Sequence, residues 1–231
     1  MADKIMLLDG HSLLNRAFYG LPDLTNAEGK HTNAILGFLN IMLRYVEDEK
    51  PTHLLVAFDR KEPTFRHIKY KEYKGTRKPM PAELHEQVPL MKEVLKTMEI
   101  PIITQAGIEA DDILGTIGKE AEEAGFDVAI VSGDRDLLQL ATKKVKIKIP
   151  KTKASGTVTE DYYEEDVREL YGVSPTEFID MKGLMGDTSD NIPGVPGIGE
   201  KTAAKIIKEY HSIENAHEHI EEIKTKRKKN N

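Results

Sequence analysis

Cysteine is absent from the 231 residues. This excludes disulfides and thiolate metal ligands, and it is compatible with a reducing compartment. No apolar run approaches the roughly 18 residues needed to span a bilayer, and the N-terminus carries no signal-peptide pattern. Internal repeats and low-complexity tracts are also missing. Positive charge is in short supply, with 33 Lys and Arg against 39 Asp and Glu and a formal net charge of −6. Taken alone, that balance argues against a phosphate-binding surface. The rest is ordinary: 39% hydrophobic and 31% charged residues, enough to bury the core of one large domain with a small appendage.

The distribution of charge matters more than its sum. Residues 60–78 hold eight bases (Arg60, Lys61, Arg66, Lys69, Lys71, Lys74, Arg77, Lys78) against Glu62 and Glu72. Residues 143–153 hold six Lys and no acid, and the tail from Lys224 to Lys229 repeats the theme. If nine of the 39 acids hold cations, the remaining 30 face 33 bases, and the rest of the molecule is slightly basic. Bound divalent ions would offset much of the cluster's own charge.

Three short apolar runs, Ile5–Leu8, Leu54–Phe58 and Val128–Val131, read as buried parallel strands. Helical stripes separate them: Ala34, Phe38, Ile41, Met42 and Tyr45, then Ile113, Leu114, Ile117 and Ala121. The alternation predicts an α/β fold with a mostly parallel sheet. Val145–Ile149 alternates Val and Ile with Lys and reads as an edge strand. Leu84, Val88, Met91, Leu95 and Met98 form another helical stripe, which Pro89 should kink or divide. From Pro175 a helical appendage is expected, so the chain divides into a core over 1–174 and a smaller unit over 175–231.

Each strand run ends in an acid: Asp9, Asp59, and Asp134 after the Ser132-Gly133 turn. Ligands of open α/β sheets bind at the carboxyl ends of the strands, so these three should converge. Asp136 can join from the loop after Asp134, and Glu109, Asp111 and Asp112 can project from the first turn of the next helix. Asp187 and Asp190 are three apart and share a face if their segment is helical. Singly, each is an ordinary turn former, helix cap or dipole partner. Nine convergent acids, however, repel one another unless hard cations with oxygen ligands lie among them. Two such ions are a recurrent device for phosphodiester displacement.

Tyr73-Lys74-Gly75-Thr76-Arg77 lies in the most basic stretch. On a helix Lys74 and Arg77 would point the same way towards one phosphate, with Tyr73 free to stack on a base; a solvated basic face is the alternative. Gly194-Val195-Pro196-Gly197-Ile198-Gly199 followed by Glu200-Lys201-Thr202 resembles the hairpin of a helix-hairpin-helix motif. There, glycines allow close backbone approach, and the amides at the start of the next helix, with Lys201, Thr202 and Lys205, can meet a duplex phosphate. A plain turn between packed helices is the other reading. The spacing is not that of a P-loop, because Glu200 follows Gly199.

In combination, Leu7-Leu8-Asp9-Gly10, Val56-Ala57-Phe58-Asp59, Glu109-Ala110-Asp111-Asp112, Ser132-Gly133-Asp134-Arg135-Asp136, Gly186-Asp187-Thr188-Ser189-Asp190-Asn191 and the glycine hairpin resemble the 5′-nuclease (flap endonuclease) family. Within it the resemblance is strongest to the branch that forms the N-terminal nuclease domain of bacterial DNA polymerase I. It covers essentially the whole chain. It implies a PIN-like or resolvase-like α/β core, a helical arch over about residues 66–100, and a C-terminal helix-hairpin-helix subdomain. It further implies two magnesium ions, replaceable by manganese. Asp9, Asp59, Glu109, Asp111 and Asp112 would surround one; Asp134, Asp136, Asp187 and Asp190 would lie towards the other. Tyr73, Lys74 and Arg77 match gateway positions, Arg16 and Arg66 match DNA contacts, and a potassium ion is implied at the hairpin of Gly194, Gly197 and Gly199. The implied activity is 5′–3′ exonuclease and flap cleavage in primer removal and repair. Substrates would be branched, nicked or flapped duplex DNA and RNA–DNA primer junctions, cut by a monomer in the bacterial cytoplasm, at the nucleoid. Family domains continue beyond the hairpin, so a fragment of a longer chain, with a polymerase to follow, is expected.

Three other functions compete. An Asp-nucleophile phosphatase would need a second Asp two residues after Asp9, where His11 stands. A catalytically inert DNA-binding module would leave gaps in the carboxylate set. A single-strand ribonuclease with an acidic sheet would not need the hairpin.

Overall fold

The apolar runs form the centre of a six-stranded sheet. In the computed structural model, which describes residues 3–153 and 156–223, the strands are β1 (Lys4–Asp9), β2 (His53–Ala57), β3 (Ile102–Ile103), β4 (Asp127–Val131), β5 (Val145–Lys153) and β6 (Gly156–Tyr162). Their order is β3-β2-β1-β4-β5-β6. All neighbours are parallel except β5 and β6, so the expected α/β architecture with a mostly parallel sheet is found. The lysine-rich tail from Lys224 to Lys229 lies outside the described residues.

The helices are α1 (Gly10–Gly20), α2 (Asn33–Glu49), α3 (Phe65–Lys69), α4 (Ala82–His85), α5 (Gln87–Thr97), α6 (Ala110–Glu123), α7 (Glu164–Tyr171), α8 (Pro175–Met185), α9 (Glu200–Tyr210) and α10 (Ile213–Glu218), with a 3-10 helix at Arg135–Leu140. Successive side chains of a strand point to opposite faces, and the strands sort into two cores accordingly. Leu7, Leu55, Ala57, Val128 and Ile130 face α6 and the C-terminal helices. Met6, Leu8, Val56, Phe58, Ala129 and Val131 face α1, α2, α4 and α5. Both faces are covered, which is why these strands read as continuous apolar runs. Among the described residues no helix is long and apolar enough to cross a membrane.

The stripe over 84–98 is divided, as Pro89 demands, but the break falls at Glu86, between α4 and α5. Proline clashes with the carbonyl four residues earlier, here that of His85, so it is accommodated in the first turn of the second helix.

β5 is not an edge. It lies between β4 and β6, and its lysines face a buried counter-charge. Lys146 and Lys148 lie 2.7 and 2.6 Å from Glu49 Oε1, Lys4 lies 3.0 Å from Oε2, and Lys148 also reaches Asp161 at 2.8 Å. Alternating Lys therefore marks an internal ion network in this strand. Burial by itself would raise the Glu49 carboxyl, but hydrogen bonds from Lys146, Lys148 and Lys4 bring it down to about 2.

Removing one member of a buried ion cluster leaves the others uncompensated. Glu49→Gln should therefore destabilise the protein at pH 7 by about 3 kcal/mol, measured by urea denaturation. The folded carboxyl titrates near 2 instead of the usual 4.5, so its contribution is complete above pH 4.5 and disappears as pH falls to about 2. The gap between wild type and variant should close over that window, and a pH-independent gap would refute the assignment.

Candidate metal centre

The sheet reverses its winding at β1: β2 and β3 lie to one side, β4 to the other. A crevice forms at such a point beyond the strand ends, and here it is a trough of about 620 Å³. Seven of the nine predicted acids line it: Asp9, Asp59, Glu109, Asp111, Asp134, Asp136 and Asp187. Asp112 and Asp190 are held outside it by ion pairs. Asp112 takes a two-pronged contact from Arg66 at 2.7 and 2.8 Å. Asp190 pairs with Arg77, and its Oδ2 lies 2.8 Å from the Tyr73 hydroxyl.

Local structure aims these carboxylates. Asp9 ends β1 and caps α1, accepting from the Ser12 N–H at 3.0 Å, while Ser132 Oγ donates to its other oxygen at 2.7 Å. Asp134 caps the 3-10 helix through the Asp136 N–H at 2.8 Å. Asp59 accepts from the Ala110 N–H at 2.7 Å, docking the start of α6 against the end of β2. Glu109 is the N-cap of α6, with Asp111 and Asp112 in its first turn. The cap role and the site-lining role thus coexist in one side chain. Gly10 permits the first junction: a Cβ there would lie 2.4 Å from the Phe58 ring.

Electrostatics show a surplus of negative charge. Burial pushes the Asp9 carboxyl up. Asp111 is pushed to about 8 by burial and by the nearby charges of Asp9, Asp134 and Asp59. Among the described residues no three carboxylates or imidazoles stand close enough together, as they are placed, to hold a metal ion. The chain's own cations instead sit between them. Lys182 lies 2.8 Å from both Asp136 and Asp187, and Lys74 lies 2.8 Å from Glu109. Burial would raise Asp187, but Lys182 and the Ser189 hydroxyl hold it well below the usual carboxylate range. An all-oxygen donor set whose crowding and burial push the Asp111 carboxyl up suits a hard divalent cation.

Three local expectations are corrected. Tyr73 through Arg77 form turns, not a helix, and Lys74 adopts a left-handed φ of 55°. Lys74 and Arg77 consequently diverge, to Glu109 and Asp190. Tyr73 is buried, with its hydroxyl 3.0 Å from Glu109 Oε2, so its ring is not free to stack on a base. Asp187 and Asp190 lie on a turn in which Asp187 Oδ1 accepts from the Ser189 and Asp190 N–H groups. The two turns are stitched together: the Lys74 N–H donates to the Asp190 carbonyl at 2.9 Å, and Asn191 Nδ2 donates to the Glu72 carbonyl at 2.8 Å.

The other candidates lie further out. Arg16 is half-buried on α1 and does not line the trough, and the Arg66 guanidinium is committed to Asp112. Lys201, Thr202 and Lys205 are exposed on α9, whose N-cap is Gly199. The glycines of the hairpin have different tasks. Gly194 packs backbone to backbone, since a Cβ there would meet Met185 at 2.3 Å. Gly197 has φ +78°, and Gly199 has open space where a Cβ would lie. Lys182, Ser12, Ser132 and His11 also line the trough or fix a carboxylate in it, without a sequence pattern that marks them for the site. Lys182 stands five residues before Asp187 on α8, a spacing with no recognisable signal.

A profile described as 5′–3′ exonuclease, N-terminal resolvase-like domain matches residues 4–172, and one described as 5′–3′ exonuclease, C-terminal SAM fold matches 173–231. DNA polymerase I of Bacillus subtilis is 52% identical over 226 residues, covering 98% of this chain and 26% of that protein. DNA polymerase I of Caldicellulosiruptor bescii is 47% identical over 222 residues, covering 96% and 26%. The chain thus spans about a quarter of the length of these relatives. A bacteriophage T5 flap endonuclease solved as a pseudo-enzyme-product complex with DNA and metal ions superposes with a TM-score of 0.74 at 26% identity, over 92% of this chain and 77% of that one. Flap endonuclease-1 from Methanococcus jannaschii shares the fold, with a TM-score of 0.61 at 20% identity over 94% and 76% of the two chains. Both profiles together run from the first strand through the hairpin, and on that evidence the chain belongs to the 5′–3′ exonuclease family.

Proposed function

We propose that this chain is a structure-specific 5′ nuclease that hydrolyses DNA phosphodiesters at nicks and 5′ flaps with two divalent cations. The observation that carries the reading is the trough itself, where seven acids share one crevice and Asp111 is pushed to about 8 by burial and then by the charges of its neighbours. The T5 relative bound to DNA and metal ions supports it. Asp9, Asp59, Glu109, Asp111 and Asp112 would hold one ion; Asp134, Asp136, Asp187 and Asp190 would hold the other. Magnesium suits an oxygen-only set, with manganese as a substitute. When bound, such ions acidify an attacking water and stabilise charge on the phosphate and the leaving oxygen.

The protein's residues do the rest. Lys74 and Arg77 flank the trough as paired cations and can transfer from Glu109 and Asp190 to the scissile phosphate once metal neutralises those acids. The segment over about 66–100 serves as the arch for the single-stranded 5′ end. The hairpin of Gly194, Gly197 and Gly199, with Lys201, Thr202 and Lys205, grips duplex backbone, with potassium as its ion, and Arg16, together with Arg66 once it is released from Asp112, adds phosphate contacts. Residues 1–174 form the nuclease core and 175–231 the duplex-binding unit of a monomer. In a longer parent chain with a polymerase, this activity would remove primers, including RNA–DNA junctions, at the bacterial nucleoid.

The decisive assay is cleavage of a labelled 5′-flap duplex and of single-stranded RNA, with and without magnesium; no metal-dependent cutting of the flap overturns the reading. Asp134→Asn should abolish cleavage yet retain or tighten DNA binding, because the amide oxygen can still cap the 3-10 helix while one negative charge is lost. Lys74→Ala should lower kcat by about a hundredfold and change duplex affinity by less than about threefold; a defect in affinity alone would make Lys74 a surface contact. Lys182→Gln removes the cation between Asp136 and Asp187. Thermal stabilisation by magnesium should then be half-maximal at an about threefold lower concentration, and a higher requirement would show that Lys182 assists the ion.

A further inference from the structure

Gln87 opens α5 and is fully buried, an unusual place for an amide. All of its hydrogen-bonding capacity is used across helix boundaries. Its Oε1 accepts from the Ala34 N–H at 2.8 Å and the Ile35 N–H at 3.3 Å, the free amides at the start of α2. Its Nε2 donates to Asn33 Oδ1 at 3.0 Å and to the Glu83 carbonyl at 2.9 Å. Buried Asn33 in turn donates to the Phe18 carbonyl at 3.0 Å, near the end of α1. Thr32, at the N-cap of α2, makes no side-chain cap bond, so α2 is capped from another helix. The next residue back, Glu86, accepts from the His31 N–H at 3.1 Å.

This pair sits on the anchoring side of the α4–α5 segment. Leu84, Gln87, Met91 and Leu95 recur at steps of three and four and are all fully buried. His85, Val88, Pro89 and Lys92, on the other side, wall a second cavity of about 540 Å³. His11, Asn15, Asp59 and Arg77 line both that cavity and the trough, so the two are contiguous. Arg60 and Lys61 face Lys92 across it, and Lys92 Nζ lies 4.7 Å above the Phe58 ring. Three apolar anchors alone tolerate small rotations and slides of a helix, because dispersion contacts are non-directional. A buried amide tolerates neither: a shift of one residue strands its donors and acceptors, and a buried polar pair is the best-attested device for specifying register.

We propose that the Asn33–Gln87 pair is a positioning element that sets the register of α4–α5, and thereby the width of the cationic cavity beside the trough. This rests on the nuclease reading, in which that cavity accommodates the single-stranded end of the cut strand.

The test compares a 5′-flapped duplex with a nicked duplex lacking any single-stranded end. Cleavage is measured in steady state, and affinity is measured by anisotropy without divalent metal. Gln87→Met keeps side-chain volume and removes the cap. It should raise KM and weaken affinity for the flapped substrate about tenfold, with kcat and the nicked substrate changed less than about twofold. Gln87→Glu should recover only part of the loss, since its carboxylate still accepts the α2 amides but turns an acceptor toward Asn33 Oδ1 and the Glu83 carbonyl that Nε2 now serves. Should Gln87→Met not fold, Asn33→Ala removes the partner but leaves the cap and carries the same comparison. Equal losses on both substrates that follow the fall in Tm, or an unchanged flap-to-nick ratio, overturn the proposal. A wild type that cuts neither substrate refutes the nuclease reading instead, and the affinity ratio then still decides the register proposal.

Discussion

Repulsion among carboxylates at the carboxyl edge of the sheet is the constraint on which this molecule's site depends. Parallel strands bring Asp9, Asp59 and Asp134 to one edge regardless of their separation in sequence. Each is then fixed by backbone amides or neighbouring hydroxyls, so the charges cannot simply swing apart. The protein offsets the resulting field with Lys74, Arg66, Arg77 and Lys182, and Asp111 is left at the centre without a partner among the described residues. Cations held this way are poised for exchange. Were these acids to hold divalent ions, as proposed, Lys74 and Arg77 would be free to face a phosphate.

The same electrostatics joins distant parts of the chain. The turn over 70–77 and the turn over 187–191 are linked by backbone and side-chain hydrogen bonds as well as by Arg77 and Tyr73 on Asp190. The basic segment is therefore packed onto the acidic loop, and the C-terminal helices are tied to the core through the site. Gly186 and Gly194 make this possible, because their backbones approach too closely for any side chain at either position. On the face of the sheet that α2 covers, the Glu49 network places buried charge among lysines of β5.

Several features were legible because they are carried by local chemistry. The strand runs, the acids that end them and the helix stripe broken near Pro89 are all contiguous patterns. Other features were not. The alternation in β5 looked like an edge, since nothing near it in sequence reveals that Glu49 on α2 neutralises Lys146 and Lys148. Tyr73 looked available for stacking, and only its contacts with Glu109 and Asp190 explain its burial. Lys182 and Gln87 carried no signal at all, because their partners lie on other elements.

By itself the sequence determined the α/β alternation, the edge of the sheet at which the acids gather and the family to which the motifs belong. Those depend on periodicity and on residues next to one another, which short-range sterics and strand direction convert into position. Tertiary structure alone decided which acids share the trough, which are held outside it by arginine, and which lysine stands between two carboxylates. Coulomb energies and buried hydrogen bonds depend on distance and solvent exclusion, and neither quantity exists until the chain has folded.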